Sequence, residues 1–74
     1  MVKVRFHLYL KKYARAEERE IEVKNGLKIG DLLVNMGVPV DQVGIVTVNG
    51  KWQDIDYLLK DGDKVEIFPV YLGG

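Results

Sequence analysis

Apolar and polar side chains alternate from the first residues, with Val2, Val4, Phe6, Leu8 and Leu10 set against Lys3, Arg5, His7 and Tyr9. A period of two puts those five apolar residues on one face of a strand. The polar stretch Lys11 to Arg19 reads as a connecting loop, and Glu20-Ile21-Glu22-Val23-Lys24 alternates again, so the two segments are expected to form an antiparallel hairpin. Asn25-Gly26 closes that unit, because both residues tolerate positive φ. The period then changes. Ile29, Leu32, Leu33 and Met36 sit at i, i+3, i+4 and i+7, the spacing of one helical face. Asp31 suits the positive end of the helix dipole, and Gly37 followed by Val38-Pro39 is a stop signal. Lys28 is a poor N-cap and Gly30 weakens the helix by roughly 1 kcal/mol relative to alanine, so tertiary packing has to hold its start.

Beyond the helix, Ile45-Val46-Thr47-Val48 is rich in β-branched residues and runs through Asn49-Gly50 into Lys51-Trp52-Gln53. This predicts a strand, a tight turn and a short return strand. Asp54 to Lys60, with Tyr57, Leu58 and Leu59 embedded, reads as a packed loop or a single helical turn. Asp61-Gly62-Asp63 makes a turn, and Lys64 to Phe68 alternates as a last strand ended by Pro69. One main helix and a mixed sheet of four to five strands form an α+β fold of two layers, with the helix across one sheet face. If the first and last strands are parallel central neighbours, the topology is a grasp; periodicity alone leaves that pairing open.

A chain of 74 residues makes one domain with little core to spare, which disfavours an enclosed active-site cavity. Zero cysteines remove disulfides, thiolate metal sites, iron–sulfur ligation and a cysteine nucleophile together. The 11 basic and 11 acidic residues balance, so there is no strong field to gather nucleic acid or anionic lipid. The charge is uneven along the chain, however: residues 1–24 carry seven Lys/Arg against four Glu, and residues 25–74 four Lys against seven Asp/Glu. Solvated surface is the plain reading, with orientation of a docking partner as the other. No apolar run approaches the ~20 residues that span a bilayer, and the start lacks a signal-peptide core. The expectation is a cytoplasmic protein with neither nucleic-acid nor membrane partners.

Catalytic groups are sparse. His7 is the one histidine and falls on the polar parity of its strand, which reads as a solvated side chain rather than a ligand or base. Asp54 with Asp56, and Asp61 with Asp63, could hold a hard cation, but each pair flanks an expected turn where aspartate bonds to its own backbone. No metal site is expected, and no glycine run has phosphate-cradling spacing. What stands out is the end, Pro69-Val70-Tyr71-Leu72-Gly73-Gly74. Residues 1–69 read as the folded domain and 70–74 as a flexible tail whose glycines, lacking a Cβ, could enter a narrow channel. The α-carboxylate of Gly74 is then the reactive group, a poor acyl donor until joined to AMP by ATP.

With these features the whole chain resembles the MoaD/ThiS family of ubiquitin-like sulfur carriers. The resemblance lies in the alternating first strand, Gly30-Asp31-Leu32-Leu33, Val48-Asn49-Gly50, Leu59-Lys60-Asp61-Gly62-Asp63-Lys64-Val65 and Gly73-Gly74. It implies a ubiquitin-like β-grasp fold and a non-enzymatic carrier with no permanently bound cofactor. A MoeB/ThiF-like adenylating enzyme would use ATP to activate Gly74, with Gly73 as the thin neck, and sulfur would be installed as a thiocarboxylate. A sulfur-accepting enzyme, such as the large subunit of molybdopterin synthase, would then take the sulfur. Molybdopterin or tungstopterin synthesis is the first expectation, thiamin thiazole synthesis the second. Two other classes stay open: a protein modifier joined to lysines, and a β-grasp binding module with an incidental tail. Ordering five tail residues costs ~5–10 kcal/mol, so a second docking patch is expected beside the tail segment Val70, Tyr71 and Leu72. Phe68, opposite in parity to Val65 and Ile67, is its natural anchor, unless it packs under a loop. Trp52 and Tyr9 are expected as edge packing and strand surface.

Overall fold

Strand β1, Val2–Phe6, buries Val2, Val4 and Phe6 and exposes Lys3 and Arg5, as its alternation requires. The computed structural model describes residues 1–23 and 26–70. β1 does not continue to Leu10: the chain leaves the sheet at Leu8, which takes a φ of 53° and is half exposed. A 3-10 turn over Leu8–Leu10 and a short helix α1, Lys11–Ala14, occupy what the polar composition marks as loop. Leu10 and Ala14 are buried and Tyr13 packs against them, an i, i+3, i+4 stripe that overrides both the strand parity of Leu10 and the loop reading. Arg15, at a φ of 59°, ends α1 in the left-handed conformation.

The return strand β2 is Glu18–Ile21, two residues earlier than the alternation of Glu20 to Lys24 suggests. It pairs antiparallel with β1, Val2 opposite Ile21 and Arg5 opposite Glu18. As an edge strand with Glu18, Arg19 and Glu20 all exposed, it has no buried face to impose register, and its charges guard the edge against further pairing. Lys24 and Asn25 lie outside the described residues; Gly26, next in line, has a φ of +74°.

Helix α2, Ile29–Asn35, buries Ile29, Leu32 and Leu33. Lys28 gives no side-chain cap; instead the loop before the last strand supplies acceptors, with Ile29 N–H donating to Tyr57 O at 3.1 Å and Gly30 N–H to Ile55 O at 2.8 Å. That loop also contains a strand pair the sequence pattern does not reveal, β3 (Leu27–Lys28) with β6 (Leu58–Leu59), and Leu59 is buried. At the other end Gly37, at a φ of +77°, donates to Val34 O at 3.1 Å while Val38 donates to Leu33 O at 2.9 Å, a Schellman stop.

Strands β4 (Val43–Val48) and β5 (Lys51–Trp52) form the hairpin over Asn49-Gly50, both at positive φ as a two-residue turn of this twist needs. The last strand β7, Lys64–Pro69, lies parallel to β1 and antiparallel to β4. The sheet order is β2-β1-β7-β4-β5, so the first and last strands are central parallel neighbours and the ubiquitin-like grasp is complete. Pro69, buried, is the final residue of β7 rather than the one beyond it. The core lies between one face of this sheet and α2, where Val2, Val4, Phe6, Val46, Val48, Val65 and Ile67 meet Ile29, Leu32 and Leu33. Among the described residues no helix is long and apolar enough to cross a membrane.

Candidate functional site

On the other sheet face the strand pairings set out three cross-strand rows among the described residues. Pairing of β1, β7 and β4 sets Phe68 opposite Ile45, and His7 continues β1 past Phe6, which pairs with Ile67. A second row runs Trp52, Thr47, Glu66, Arg5, Glu18 across all five strands. The third is Lys64, Lys3, Glu20. The face therefore grades from apolar and aromatic near Pro69 to charged at the far end, where an open hollow is lined by Lys3, Arg5, Glu18, Lys64 and Glu66.

Phe68 takes the face its parity implies and is half-buried. Its ring stacks on His7, centroids 4.2 Å apart and planes within 6°, and Nε2 of His7 lies 2.9 Å from Oε1 of Glu66. His7 is thus not the solvated side chain its parity suggests: its exposure is 29%, because the strand ends there and the ring lies flat against Phe68. The stack contributes about 0.5–1.5 kcal/mol and favours the outward-facing pose of Phe68. Trp52, expected to pack at the edge, is 76% exposed on the same face, since the short β5 has no neighbour beyond it. Tyr9 lies in the 3-10 turn, with the ammonium of Lys12 5.9 Å from its ring centre.

Three of the four paired aspartates, Asp54, Asp61 and Asp63, have partners within the fold. Asp63, buried, accepts from Asn49 Nδ2 and from Lys60 N–H, each at 2.9 Å, while Asn49 Oδ1 accepts from Lys64 N–H at 3.0 Å. This ties the Asn49-Gly50 turn to the start of β7. Asp61 pairs with the amine of Met1, whose hydrogen bond and then charge lower its pKa below the usual value. Asp54 accepts from Ile55 N–H at 2.7 Å. Among the described residues no cluster of His, Cys, Asp or Glu could hold a metal ion.

Val70 follows β7 directly, and its N–H donates to Gln42 O at 3.0 Å. Its side chain is exposed, close to Phe68 along the chain. The expected roles of Tyr71, Leu72, Gly73 and Gly74 lie outside the described residues. What the structure does place is the last described residue before that segment: Val70 follows directly on β7, the central strand that carries Phe68 on its open face. Sequence reasoning missed His7 as the partner of Phe68, and Ile45 beside it. Parity would have found His7 had β1 and β7 been aligned as parallel neighbours, whereas Ile45 reaches Phe68 through the antiparallel pairing of β4 with β7.

Residues 1–72 match a family model described as Mut7-C ubiquitin. Among solved structures the chain is similar to a putative molybdopterin converting factor, subunit 1, from Pyrococcus furiosus, at 28% identity over 92% of this chain and 94% of that one, with a TM-score of 0.72. It is also similar to small archaeal modifier protein 1 of H. volcanii, at 18% identity over 92% and 94% with a TM-score of 0.72. A structure titled SAMP1 from Haloferax volcanii matches at 20% identity over 99% and 98%, with a TM-score of 0.73. At those two identities the likeness concerns the fold alone.

Proposed function

The chain belongs to the Mut7-C ubiquitin family, a ubiquitin-like family akin to the MoaD/ThiS carriers, and from that premise we propose that it works as a sulfur carrier through Gly74. The single observation that supports this most is the continuity of β7. The strand with an aromatic side chain, Phe68, stacked on His7 on its open face leads within a few residues to Gly73-Gly74, so one partner could grip the face and receive the end. Phe68 and Val70 belong to the docking surface, with Tyr71 and Leu72 continuing it.

In the proposed cycle a carboxylate oxygen of Gly74 attacks the α-phosphorus of ATP on a MoeB/ThiF-like enzyme, and pyrophosphate leaves. A hydrosulfide equivalent then attacks the acyl carbon, AMP departs with the bonding pair, and a thiocarboxylate remains. In the acceptor complex the thiocarboxylate sulfur attacks an electrophilic carbon of the substrate, an oxygen leaving group departs with the bonding pair, and water cleaves the resulting thioester, leaving the sulfur on the substrate as a thiol and returning the Gly74 carboxylate. The name of the Pyrococcus relative favours molybdopterin synthesis as the receiving pathway. The carrier acts inside its partners and itself needs no catalytic residue.

Intact mass spectrometry tests this reading. Incubation with ATP, hydrosulfide and a MoeB/ThiF-like enzyme should exchange one oxygen for sulfur, and deletion of Gly73-Gly74 should abolish the exchange. An enzyme that charges its own carrier but leaves this chain unchanged would refute the proposal. Gly-Gly remnants on lysines of other proteins, without any thiocarboxylate, would replace it with the modifier reading.

A further inference from the structure

Gly44 sits in β4 where the pairing with β7 is irregular: Val43 faces Pro69 and Ile45 faces Phe68, which leaves Gly44 as the extra residue of a bulge. Its φ is outside the left-handed region, so the backbone conformation does not call for glycine. Space does. A Cβ built on Gly44 would lie 2.9 Å from the Pro69 carbonyl oxygen, 2.9 Å from Val70 Cα and 3.2 Å from the Pro69 carbonyl carbon. All three atoms belong to the backbone through which the chain leaves the sheet. The same approach lets Val70 N–H reach Gln42 O at 3.0 Å.

We propose that Gly44 is a positioning residue, whose missing side chain lets β4 close against Pro69 and Val70 and so sets the direction in which the segment ending in Gly74 leaves the sheet. This rests on the reading of Gly74 as the acyl-forming end. Two anchors make the direction specific. Pro69 is buried and cannot move without disturbing the core, and below the bulge β4 is held to β7 at Val46, Thr47 and Val48. Val70, exposed and joined to β4 by one backbone hydrogen bond, is the part that yields when a side chain is added. The activating partner that grips Phe68 then finds the end leaving on a different line. Docking and delivery are separable: the open-face residues are untouched, whereas the approach of the carboxylate to ATP is not.

Gly44→Ala tests this against Val38→Ala, a stability control in the core beside α2. In Gly44→Ala the Val70 amide should lose its protection from hydrogen exchange while amides of β1 and β7 keep theirs. In charging by a MoeB/ThiF-like enzyme, KM should hold and kcat should fall about tenfold, the effect of a reacting group displaced after binding. Val38→Ala should change neither. If Gly44→Ala does not fold, an ester in place of the Pro69–Val70 peptide bond removes the same N–H, keeps the Val70 side chain, adds nothing at position 44 and should give the same kcat loss. Charging of both variants at the wild-type rate, or a Val70 amide as protected as before, overturns the role of Gly44 and leaves the carrier reading standing. A wild-type chain that is not charged at all overturns both.

Discussion

Truncation of Phe68 to alanine is the sharpest test of the open face. A fully buried Phe loses about 3–5 kcal/mol on such a change, but Phe68 is half-buried, and its most specific contact is the stack on His7 at 4.2 Å. The stack contributes about 0.5–1.5 kcal/mol, and with part of the burial the loss of stability comes to about 2 kcal/mol. For a domain of this size that lowers Tm by about 8–16 °C. As the anchor of a docking surface, Phe68 should also cost the complex about 2 kcal/mol, which is about a 30-fold rise in Kd. Titration calorimetry with the activating enzyme, at a temperature where every variant is folded, separates the two effects. Val38→Ala, which empties space beside α2 far from the open face, should lose stability and bind normally. Wild-type affinity in Phe68→Ala would refute the assignment of this face, and an equal affinity loss in Val38→Ala would show that stability rather than contact was being measured.

Two glycines at the ends of α2 should respond in opposite directions. Gly30→Ala should stabilise by up to about 1 kcal/mol, because the new Cβ meets Ile55 at ordinary contact distances of 3.5–3.8 Å and alanine favours helix; Gly37→Ala should destabilise by about 1–2 kcal/mol, since its φ is +77°. Urea unfolding of both variants checks the signs. Asp63→Ala removes a charged acceptor from Asn49 and Lys60 N–H and should cost about 3 kcal/mol at neutral pH, read by the same method, with a loss under 1 kcal/mol counting against the network. Asp61 has its pKa lowered from 3.8 by the Met1 amine, so the stability it contributes is present above that value and lost as pH falls through the lowered one. Thermal melts of Asp61→Asn should therefore differ slightly from wild type at neutral pH and converge with it in acid; convergence on the alkaline side instead would refute the pairing.

The sheet and α2 were legible because their residues obey one period each. Val2, Val4 and Phe6, Val65 and Ile67, and Ile29, Leu32 and Leu33 all face the way their spacing dictates. The misreadings fall where two periods overlap. Leu8 and Leu10 continue the alternation of β1, yet Leu10 also begins the helical stripe with Tyr13 and Ala14, and burial of that stripe wins. β2 slipped because its exposed side chains carry no burial signal. The β3–β6 pair has two residues on each strand, too few for any period, and only the fold brings Leu27 to Leu59. The candidate site was legible in part: parity placed Phe68 on the open face, while the glycine pair that composition singles out lies outside the described residues. Its organisation was not, since the neighbours His7 and Ile45 reach Phe68 through pairings between distant segments.

The covalent geometry of β7 also constrains whatever partner receives the end. Residues alternate along the strand, so Val65, Ile67 and Pro69 fasten it to the core while Lys64, Glu66 and Phe68 face outward. A partner that holds Phe68 is thereby held in register with the chain end. Gly74 is six residues on from Phe68, and a fully extended chain of that length reaches at most about 20–22 Å. Gly73 and Gly74 carry no side chains, so a channel that accepts this end could be narrowest around them. If the proposed carrier role holds, an activating enzyme would have to place its nucleotide within about 20 Å of the surface that takes Phe68. Crosslinking from a photoreactive residue at position 68, followed by mapping of the labelled site, measures that separation. Crosslinks concentrated well beyond that radius would mean that the face and the end serve different partners.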